Sequence, residues 1–496
     1  MYKRGLFSLV SGLIFSLGFA PFDYWPLSII SISFLIYLLK DLSYRETFLI
    51  GYIFGFGMWM TGISWLYVSI HYHGNIGIIG SSLLILLFIA ALSIYSGILF
   101  LLNKFFETYC SSSLSLFSLP ASWTIIELLR SYLFTGFPWL ISGTMLADSW
   151  IDGFTPVFGA QGNSFLLILI GSILYRFSYE IHKKRSTLPY AFFLSFVFMT
   201  SYLLKSIEWT DFSKEISVSI YQPNLTLEDK WSQYGIIKTH NMMEKAILNS
   251  NERELIVFPE TAMILSEKDN KSFLDAINYK ISDKSLTFVS GIVEKEDENR
   301  IKNRLITLGS EKNYYDKVKL VPFGEFIPLE AFLGSFLDII GLNLTNTVAG
   351  NAFGLINTGD YLISPSICYE IAFDNFIRKS ARESNLLLTV SNDTWFGESF
   401  GPIQHLEIAQ NRALEHKKPL VRATNSGISA FISKNGEIQK KQGYFEEKRL
   451  SDKVKLFTGE TFYSKYGNFP LLAFLLLFTL SIIYRKLYLQ IYKFNK

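Results

Sequence analysis

Long apolar stretches alternate with short polar ones through the first 205 residues of this 496-residue chain. The longest stretch without Asp, Glu, Lys or Arg covers the 57 residues 47–103 and is broken by the polar string HYHGN. A helix needs about 20 apolar residues to cross a bilayer, so this stretch predicts two spans. Across the whole chain the pattern predicts eight spanning helices, at 5–20, 26–39, 47–70, 76–102, 114–134, 162–176, 188–204 and 468–484.

Basic residues fall at alternate ends of these segments, and they predict the orientation of the chain. Examples are Lys3, Arg4, Lys40, Lys104 and Lys486. Positive charge marks the cytoplasmic side, so we expect both termini in the cytoplasm and residues 206–466 on the far side. The first segment also looks like a signal peptide, but no small-x-small cleavage site follows it, which favours an uncleaved anchor.

Charge divides the chain into three regions, because 19 charged residues fall in 1–205, 66 in 206–466 and 4 in 467–496. We predict an N-terminal membrane domain of seven helices, a soluble domain and a C-terminal helix with a cytoplasmic tail. In the soluble domain, β-branched runs alternate with helix-like stretches such as 227–249 and 405–415, which is typical of an α/β fold. The runs are 216–221, 255–258, 286–293, 305–308, 362–368, 386–391 and 420–432.

Composition excludes several classes of protein. Two cysteines are too few for a disulfide scaffold. A charged fraction of 18% with a net charge of +3 argues against disorder and against nucleic-acid binding. The chain contains no P-loop or dinucleotide fingerprint, and we expect no cofactor. His71 and His73 have a metal-like spacing, but no third ligand is evident, so we favour a polar interfacial turn and predict no metal site.

Two features leave alternatives open. Glu127 and Arg130 lie three residues apart in the fifth predicted span, and an unpaired intramembrane charge costs roughly 2.5–3.5 kcal/mol. We favour an ion pair at the outer interface, and the alternative is a lipid headgroup contact. The apolar segment 326–344 is either a buried core helix or a lid that dips into the membrane surface.

Three residues with reactive side chains follow or end apolar runs of the soluble domain. Glu260 ends the string VFPE, Lys317 belongs to YDKVKLVPFGE, and Cys368 belongs to PSICYE. Each alone is a weak signal, because a strand-end Glu is usually a solvated cap and a lone Cys a small core residue. Cys110 is predicted on the cytoplasmic face and so cannot form a disulfide with Cys368 within one chain. A free thiol in an oxidising compartment is a candidate nucleophile.

The order Glu, Lys, Cys at strand ends of an α/β domain resembles the nitrilase (carbon–nitrogen hydrolase) superfamily. The chain also resembles the membrane-bound branch of that superfamily, the apolipoprotein N-acyltransferase family of Gram-negative bacteria. The strings that carry this resemblance are GFAPFDYWP at 18–26, ELLRSYLFTGFPW at 127–139, SNDTWFG at 391–397 and RATNSG at 422–427. The resemblance implies a nitrilase-like αββα sandwich that faces the periplasm from the bacterial inner membrane.

The resemblance also implies roles for individual residues. Cys368 would be the nucleophile, Glu260 the general base and Lys317 the electrostatic stabiliser of the oxyanion. Lys319 is a near neighbour of Lys317, and only the family spacing to PFGE selects between the two. Supporting and substrate-binding roles are implied for Glu325, Tyr369, Glu370 and Trp231.

These roles fit an acyl transfer through a thioester. A thiol must lose its proton to attack, and an ammonium group can stabilise the oxyanion that forms. The resemblance implies a phospholipid as acyl donor and, as acceptor, the α-amine of the diacylglyceryl-cysteine of apolipoproteins. Each exposed CH₂ costs about 0.8 kcal/mol, so the site must meet the lipid at the membrane. The alternatives are a membrane-tethered nitrilase-type amidase and a non-catalytic lipid-binding or transport protein.

Overall fold

A computed structural model of the chain falls into two compact units. The helical unit comprises Met1–Ile207 and Tyr466–Lys496, and the sheet unit comprises Glu208–Lys465. Most of the apolar segment predicted as a core helix or lid, 326–344, lies outside the described residues. The structure describes residues 1–74, 76–111, 114–298, 300–309, 313–328, 347–351 and 354–494.

Each of the eight predicted spans overlaps a helix of the helical unit. These helices are α1 (Tyr2–Ser16), α2 (Trp25–Leu38), α3 (Tyr44–Gly62), α4 (Ile78–Tyr109), α5 (Ser118–Tyr132), α6 (Thr155–His182), α7 (Leu188–Lys205) and α12 (Phe469–Phe494).

Not all of these helices have, by length and composition, the character of one continuous membrane-spanning helix. Within the described residues, four helices are long and apolar enough to cross a membrane, and they correspond to α4, α6, α7 and α12. A fifth span results if α3 and the following Leu66–His73, which are bent by 65°, are taken together. The other three helices, α1, α2 and α5, have 14 or 15 residues. At 1.5 Å per residue they reach about 22 Å, against about 30 Å of hydrocarbon. The predicted multi-helix apolar region is therefore present, but eight spanning helices are not established.

Helices α1 and α3 pack with their main chains in direct contact. A Cβ on Gly12 would lie 2.0 Å from the Phe54 carbonyl oxygen, and one on Gly57 would lie 2.4 Å from the Leu9 carbonyl oxygen. Small residues permit this close approach, as they commonly do between helices in membranes.

Glu127 and Arg130 are both buried on α5. Oε1 of Glu127 accepts hydrogen bonds from the Trp123 indole at 2.9 Å and from the Ser142 main chain and hydroxyl at 2.9 and 2.6 Å. Arg130 donates to the Trp139 carbonyl oxygen at 2.6 Å. Through these neutral partners both charged side chains tie α5 to the segment that follows it.

The sheet unit contains two six-stranded sheets, ordered β12-β1-β2-β3-β4-β5 and β11-β10-β9-β8-β7-β6. The strands of the first half of the domain are β1 (Thr210–Gln222), β2 (Leu255–Val257), β3 (Thr287–Lys295), β4 (Ile301–Leu308), β5 (Asn313–Asp316) and β6 (Ile356–Asn357). Those of the second half are β7 (Leu362–Ile367), β8 (Leu386–Ser391), β9 (Leu420–Thr424), β10 (Ala430–Ile432), β11 (Ile438–Lys441) and β12 (Lys448–Gly459). The longer helices are α8 (Gln233–Leu248), α9 (Lys271–Ser282), α10 (Asp374–Ala381) and α11 (Gly401–His416), and two short α-helical segments span Leu227–Lys230 and Phe462–Tyr466.

The main hydrophobic core joins the inner faces of the two sheets. It includes Val257 of β2 in the first sheet and Leu388 of β8 in the second, both almost completely buried. On the other face of the first sheet, Ile256 packs in a second cluster with Met243 of α8 and Ile277 of α9. Helices α10 and α11 contact β7 and β9 of the second sheet. This layering agrees with the predicted αββα sandwich.

Parallel pairing brings the candidate chemistry to strand ends. The neighbours β1, β2 and β3 are parallel, as are β7, β8 and β9. Glu260 follows β2 by three residues, Cys368 follows β7 directly and Asn392 follows β8 directly. Each sheet thus presents polar residues at the carboxyl ends of its parallel strands.

Candidate active site

Cys368 lies at the sharp turn where β7 ends and a 3₁₀ helix, Cys368–Ala372, begins. Its φ is +53°, in the left-handed region that a residue with a Cβ rarely adopts. Such a conformation costs on the order of 1–3 kcal/mol and persists only where surrounding contacts hold it. The residue as a whole is partly exposed, and its thiol forms no disulfide. The predicted nucleophile therefore sits on a strained turn.

Glu260 is buried, with 6% of its surface exposed, and its carboxylate accepts three hydrogen bonds. Oε1 accepts from the Asn303 amide at 2.6 Å and from Lys317 Nζ at 3.2 Å. Oε2 accepts from the Asn392 main-chain N–H at 2.7 Å. Because the three donors approach both oxygens, they fix the orientation of the carboxylate.

Lys317 lies between two carboxylates and is almost completely buried. Its Nζ is 3.2 Å from Glu260 Oε1 and 2.9 Å from Glu325 Oε1. Burial alone would lower the pKa of Lys317, but the two glutamates raise this pKa well above its ordinary value. Oε2 of Glu325 also accepts from the Val321 main-chain N–H at 2.7 Å. Glu325 thus anchors a lysine that stays charged.

The thiol of Cys368 is protonated at neutral pH. Burial raises its pKa, and so do the charges of Glu260 and Asp393, whereas Lys317 and a hydrogen bond with Ser391 act in the opposite direction. The net result is a pKa well above that of an ordinary cysteine. Attack by this sulfur therefore requires a base, since only the thiolate is strongly nucleophilic.

Glu370 is fully buried and connects the cysteine turn to the lysine loop. Its carboxylate accepts from the main-chain N–H groups of Val318, Lys319 and Ile367 at 2.6, 2.9 and 2.8 Å. It also accepts from the Tyr315 hydroxyl at 2.8 Å. Burial raises the pKa of Glu370 to about 7, against the lowering effect of these main-chain donors. The residue predicted to support the site holds two of its loops together.

The remaining sequence-predicted residues occupy different environments. Tyr369 is buried, and its ring packs edge-on against Phe373 with centroids 5.0 Å apart. Trp231 is 55% exposed and follows the helical turn Leu227–Lys230. Lys319 is the other lysine that the sequence offers for the catalytic position. Its Nζ lies over the Phe373 ring, 5.3 Å from the ring centroid. The Nζ of Lys317 bonds the carboxylates of both Glu260 and Glu325.

Sequence reasoning missed Lys230, which is buried beside the site. Its Nζ donates to the main-chain oxygen of Glu260 at 3.0 Å. Burial lowers the pKa of Lys230 to about 8, while Glu260 and Cys368 act against that shift. In the sequence, Lys230 is marked only by its position next to Trp231, and this position does not distinguish it from a surface lysine. Asn303 and Asn392 were missed as well, because amides carry no reactive signature.

Among the residues that the structure describes, no group of three or more His, Cys, Asp or Glu side chains is arranged to hold a metal ion. The described side chains around Cys368 are instead hydrogen-bonded to each other and to the main chain.

Comparisons with known proteins match both units. The model of the apolipoprotein N-acyltransferase N-terminal domain matches residues 11–173, and the carbon-nitrogen hydrolase model matches residues 217–458. The apolipoprotein N-acyltransferase of Wigglesworthia glossinidia brevipalpis is 35% identical over 481 residues, which cover 94% of this chain and 95% of that protein. The enzyme of the same name from Haemophilus influenzae is 34% identical over 501 residues, covering 97% and 94%.

The solved structure of Saccharomyces cerevisiae Nit3, a member of the nitrilase superfamily, matches with a TM-score of 0.39 and 16% sequence identity. The match covers 49% of this chain and 91% of that one. This likeness is too slight to add to the sequence comparisons.

Proposed function

The chain belongs to the apolipoprotein N-acyltransferase family, and we propose that Cys368 carries the acyl group that this enzyme transfers to the amino terminus of lipoproteins. As a member of the family it is a bacterial membrane-associated acyltransferase of the carbon-nitrogen hydrolase superfamily. The observation that carries the mechanistic proposal is the buried set of Glu260, Lys317 and Glu325 around a strained cysteine turn.

The first half-reaction acylates the cysteine. Glu260 takes the proton of the Cys368 thiol, and the sulfur attacks the ester carbonyl carbon of a phospholipid. The carbonyl oxygen becomes an oxyanion, which the charged Lys317 stabilises. When the tetrahedral intermediate collapses, the C–S bond remains and the ester C–O bond breaks. The lysophospholipid oxygen leaves with the proton held by Glu260.

The second half-reaction releases the acyl chain to the lipoprotein. The neutral α-amine of the diacylglyceryl-cysteine attacks the thioester carbon, and the amine proton passes to Glu260. Collapse expels the Cys368 thiolate, which is reprotonated, and an amide is formed. The two half-reactions give ping-pong kinetics. Water as acceptor would give hydrolysis, so an amine must be held in place of water at this step.

The charges around Cys368 suit this cycle. Lys317 has two carboxylate partners, Glu260 and Glu325, so it keeps one of them when Glu260 accepts the thiol proton. Glu325 therefore holds the ammonium in place when the pairing with Glu260 weakens. The removal of an oxyanion donor typically costs about 10²–10³ in rate.

The acyl donor is proposed to be a phospholipid, and all eight apolar segments, each of which overlaps one of the helices, are proposed to cross the inner membrane. Apolar segments that precede and follow the catalytic domain in the sequence favour a donor that does not leave the bilayer. Basic residues at alternate segment ends support the proposal that both termini are cytoplasmic and that the catalytic domain, residues 206–466, is periplasmic. In the sequence this domain lies between the proposed membrane domain 1–205 and the final helix region 467–496.

The proposal is tested by the mass of the intact protein after incubation with a defined phospholipid. We expect an acyl adduct on Cys368 of the wild-type protein, its removal when an apolipoprotein peptide is added, and no adduct on Cys368→Ala. Cys368→Ser serves as a near-isosteric control, since it keeps the turn. The consistent absence of an adduct on the wild-type protein, together with turnover of small amides, would favour a nitrilase-type amidase instead.

A further inference from the structure

Behind the cysteine turn lies a buried polar cluster that the proposed mechanism does not use. It consists of Asp393, His405 and Arg422, whose side chains are completely or almost completely buried. Asp393 follows β8, His405 lies on α11 and Arg422 lies within β9. Three separate elements therefore deliver polar side chains to one point.

His405 links this cluster to the main chain of the nucleophile. Its Nε2 lies 3.2 Å from the carbonyl oxygen of Cys368. A carbonyl oxygen only accepts hydrogen bonds, so Nε2 must carry a proton and donate it. The acceptor belongs to the residue whose φ is +53°. His405 thus holds the peptide group that follows the strained Cα of Cys368.

The other ring nitrogen is held on two sides. Nδ1 of His405 is 3.1 Å from Asp393 Oδ1 and 3.1 Å from Arg422 Nη2. In the neutral ring Nδ1 accepts from Arg422, and in the charged ring it donates to Asp393. Burial and Arg422 lower the pKa of His405 against the effect of Asp393, which favours the neutral ring. In either state Nε2 keeps its proton, so the bond to Cys368 is retained.

Asp393 is itself fixed by its neighbours. Its Oδ2 accepts from Arg422 Nη2 at 2.6 Å, and its Oδ1 accepts from the Ser391 hydroxyl at 2.6 Å. A Cβ on Gly427 would lie 2.5 Å from Oδ2, so a glycine is needed there for the carboxylate to fit. Asp393, Arg422 and Gly427 belong to the strings SNDTWFG and RATNSG. The contacts of Asp393 therefore explain why these three residue types stand in those strings.

We propose that His405, held by Asp393 and Arg422, is a positioning residue that fixes the main chain of Cys368 for attack on the acyl donor. This inference rests on the proposed role of Cys368 as the acyl carrier. His405 acts through the peptide group of Cys368 and takes no proton from the thiol. A strained turn needs such contacts, and small displacements of a reacting group cost rate rather than substrate binding.

The test compares His405→Gln and His405→Asn, whose side chains differ in length. A glutamine side chain places its amide N–H near the position of the imidazole Nε2, whereas asparagine is one carbon shorter and loses the bond to Cys368. The measured quantities are the maximal rate of acyl-adduct formation on Cys368 and the phospholipid concentration at half-maximal rate. We expect His405→Asn to lower the maximal rate about tenfold or more at an unchanged half-saturating concentration. His405→Gln should retain most of the rate.

A matched control lies on the same helix. Gln410 of α11 donates from its side chain to the Gly436 carbonyl oxygen at 2.9 Å, away from the cysteine turn. Gln410→Leu removes a comparable bond and should leave the rate of adduct formation unchanged. Gly427→Ala displaces Asp393 with His405 intact and should lower the rate as His405→Asn does.

The outcomes separate the two proposals. A wild-type protein without an acyl adduct would overturn the role of Cys368, and the inference about His405 would fall with it. A wild-type protein that is acylated, with His405→Asn and His405→Gln acylated at the wild-type rate, would overturn the inference alone. Equal losses in His405→Asn, His405→Gln and Gln410→Leu would reduce His405 to a structural residue of α11.

Discussion

Replacing Glu370 by glutamine removes the charge on which four donors converge while it keeps the size of the side chain. The donors are three main-chain N–H groups, at Val318, Lys319 and Ile367, and the Tyr315 hydroxyl. A glutamine has one acceptor oxygen and one NH₂ group, so the NH₂ must face either the Ile367 N–H or the N–H groups of Val318 and Lys319. An unsatisfied buried donor costs about 1–3 kcal/mol. We expect the lysine loop and the cysteine turn to separate slightly.

The substitution should change how the stability of the protein depends on pH. The pKa of Glu370 is raised from 4.5 to about 7, so the folded protein binds an extra proton between these two values. By linkage, the contribution of this group to stability is largest at low pH and is lost as pH rises through about 7. The shift corresponds to about 3 kcal/mol. Glutamine does not titrate, so the stability of the wild-type protein relative to Glu370→Gln should fall by about that amount across the interval.

Activity should move in the opposite direction. The donors around Glu370 match an ionised carboxylate, so acyl transfer by the wild-type protein should decline as pH falls through about 7. Glu370→Gln should lack this acid limb, and its rate should lie about tenfold below the plateau that the wild-type protein reaches above about pH 7, because the two loops are displaced. Stability and activity of the wild-type protein would then respond oppositely to acid at this one residue.

The assay combines thermal unfolding in detergent with the rate of acyl-adduct formation, each measured from about pH 5 to about pH 8. Glu383→Gln, on an exposed site outside the active centre, controls for the loss of one carboxylate. Melting temperatures of the wild-type protein and Glu370→Gln that run parallel across the pH range would refute the assignment of the titration to Glu370. A wild-type rate in Glu370→Gln would refute its role in joining the loops.

Three further predictions address other contacts. Lys230→Met should slow adduct formation and remove any decline in rate above about pH 8, because the ammonium that bonds the Glu260 carbonyl titrates near that pH; a pH–rate profile checks this. Asp316→Asn should destabilise the sheet unit by about 1–3 kcal/mol, because Arg304 loses its two-pronged charged partner and keeps the ion pair with Glu267. Denaturant unfolding checks this, and the double variant with Arg304→Met should recover part of the loss. Gly12→Val should lower the melting temperature of the helical unit, because its Cβ meets the main chain of α3; a normal melting temperature would contradict that packing.

The sequence predicted those parts of the fold that rest on local patterns. All eight apolar segments lie on helices, but length and apolarity alone did not reveal that α1, α2 and α5 are short. The run 420–432, predicted as one strand, forms two antiparallel strands, β9 and β10. The turn between them, residues 425–429, has the sequence NSGIS, and its Asn, Ser and Gly are residues typical of turns. The sequence analysis did not predict β12. Its Lys, Arg and Asp residues suit an exposed edge strand, and they obscure the alternation of apolar and polar positions that marks a strand.

For the candidate site, resemblance identified Glu260, Lys317 and Cys368, and the structure places the first two in direct contact. What local sequence could not supply were contacts between residues far apart in the chain. Glu370 bonds main-chain groups about fifty residues away, and His405 bonds the carbonyl of Cys368 thirty-seven residues away. No periodicity or motif reports which main-chain group a buried polar side chain will meet.

The pairing of β1 with β12 has a consequence for how the sheet unit is made. Thr210, where β1 begins, pairs with Gly459, where β12 ends, so the two ends of the domain are neighbours in an antiparallel ladder about 5 Å apart. The domain is thus a closed insertion between two stretches of membrane chain, and one edge of β1 stays open until almost all of the domain has been synthesised. Sequence separations of this size make folding slow. During that interval β1 carries one long unpaired edge, which is the kind of edge that chaperones and neighbouring chains recognise.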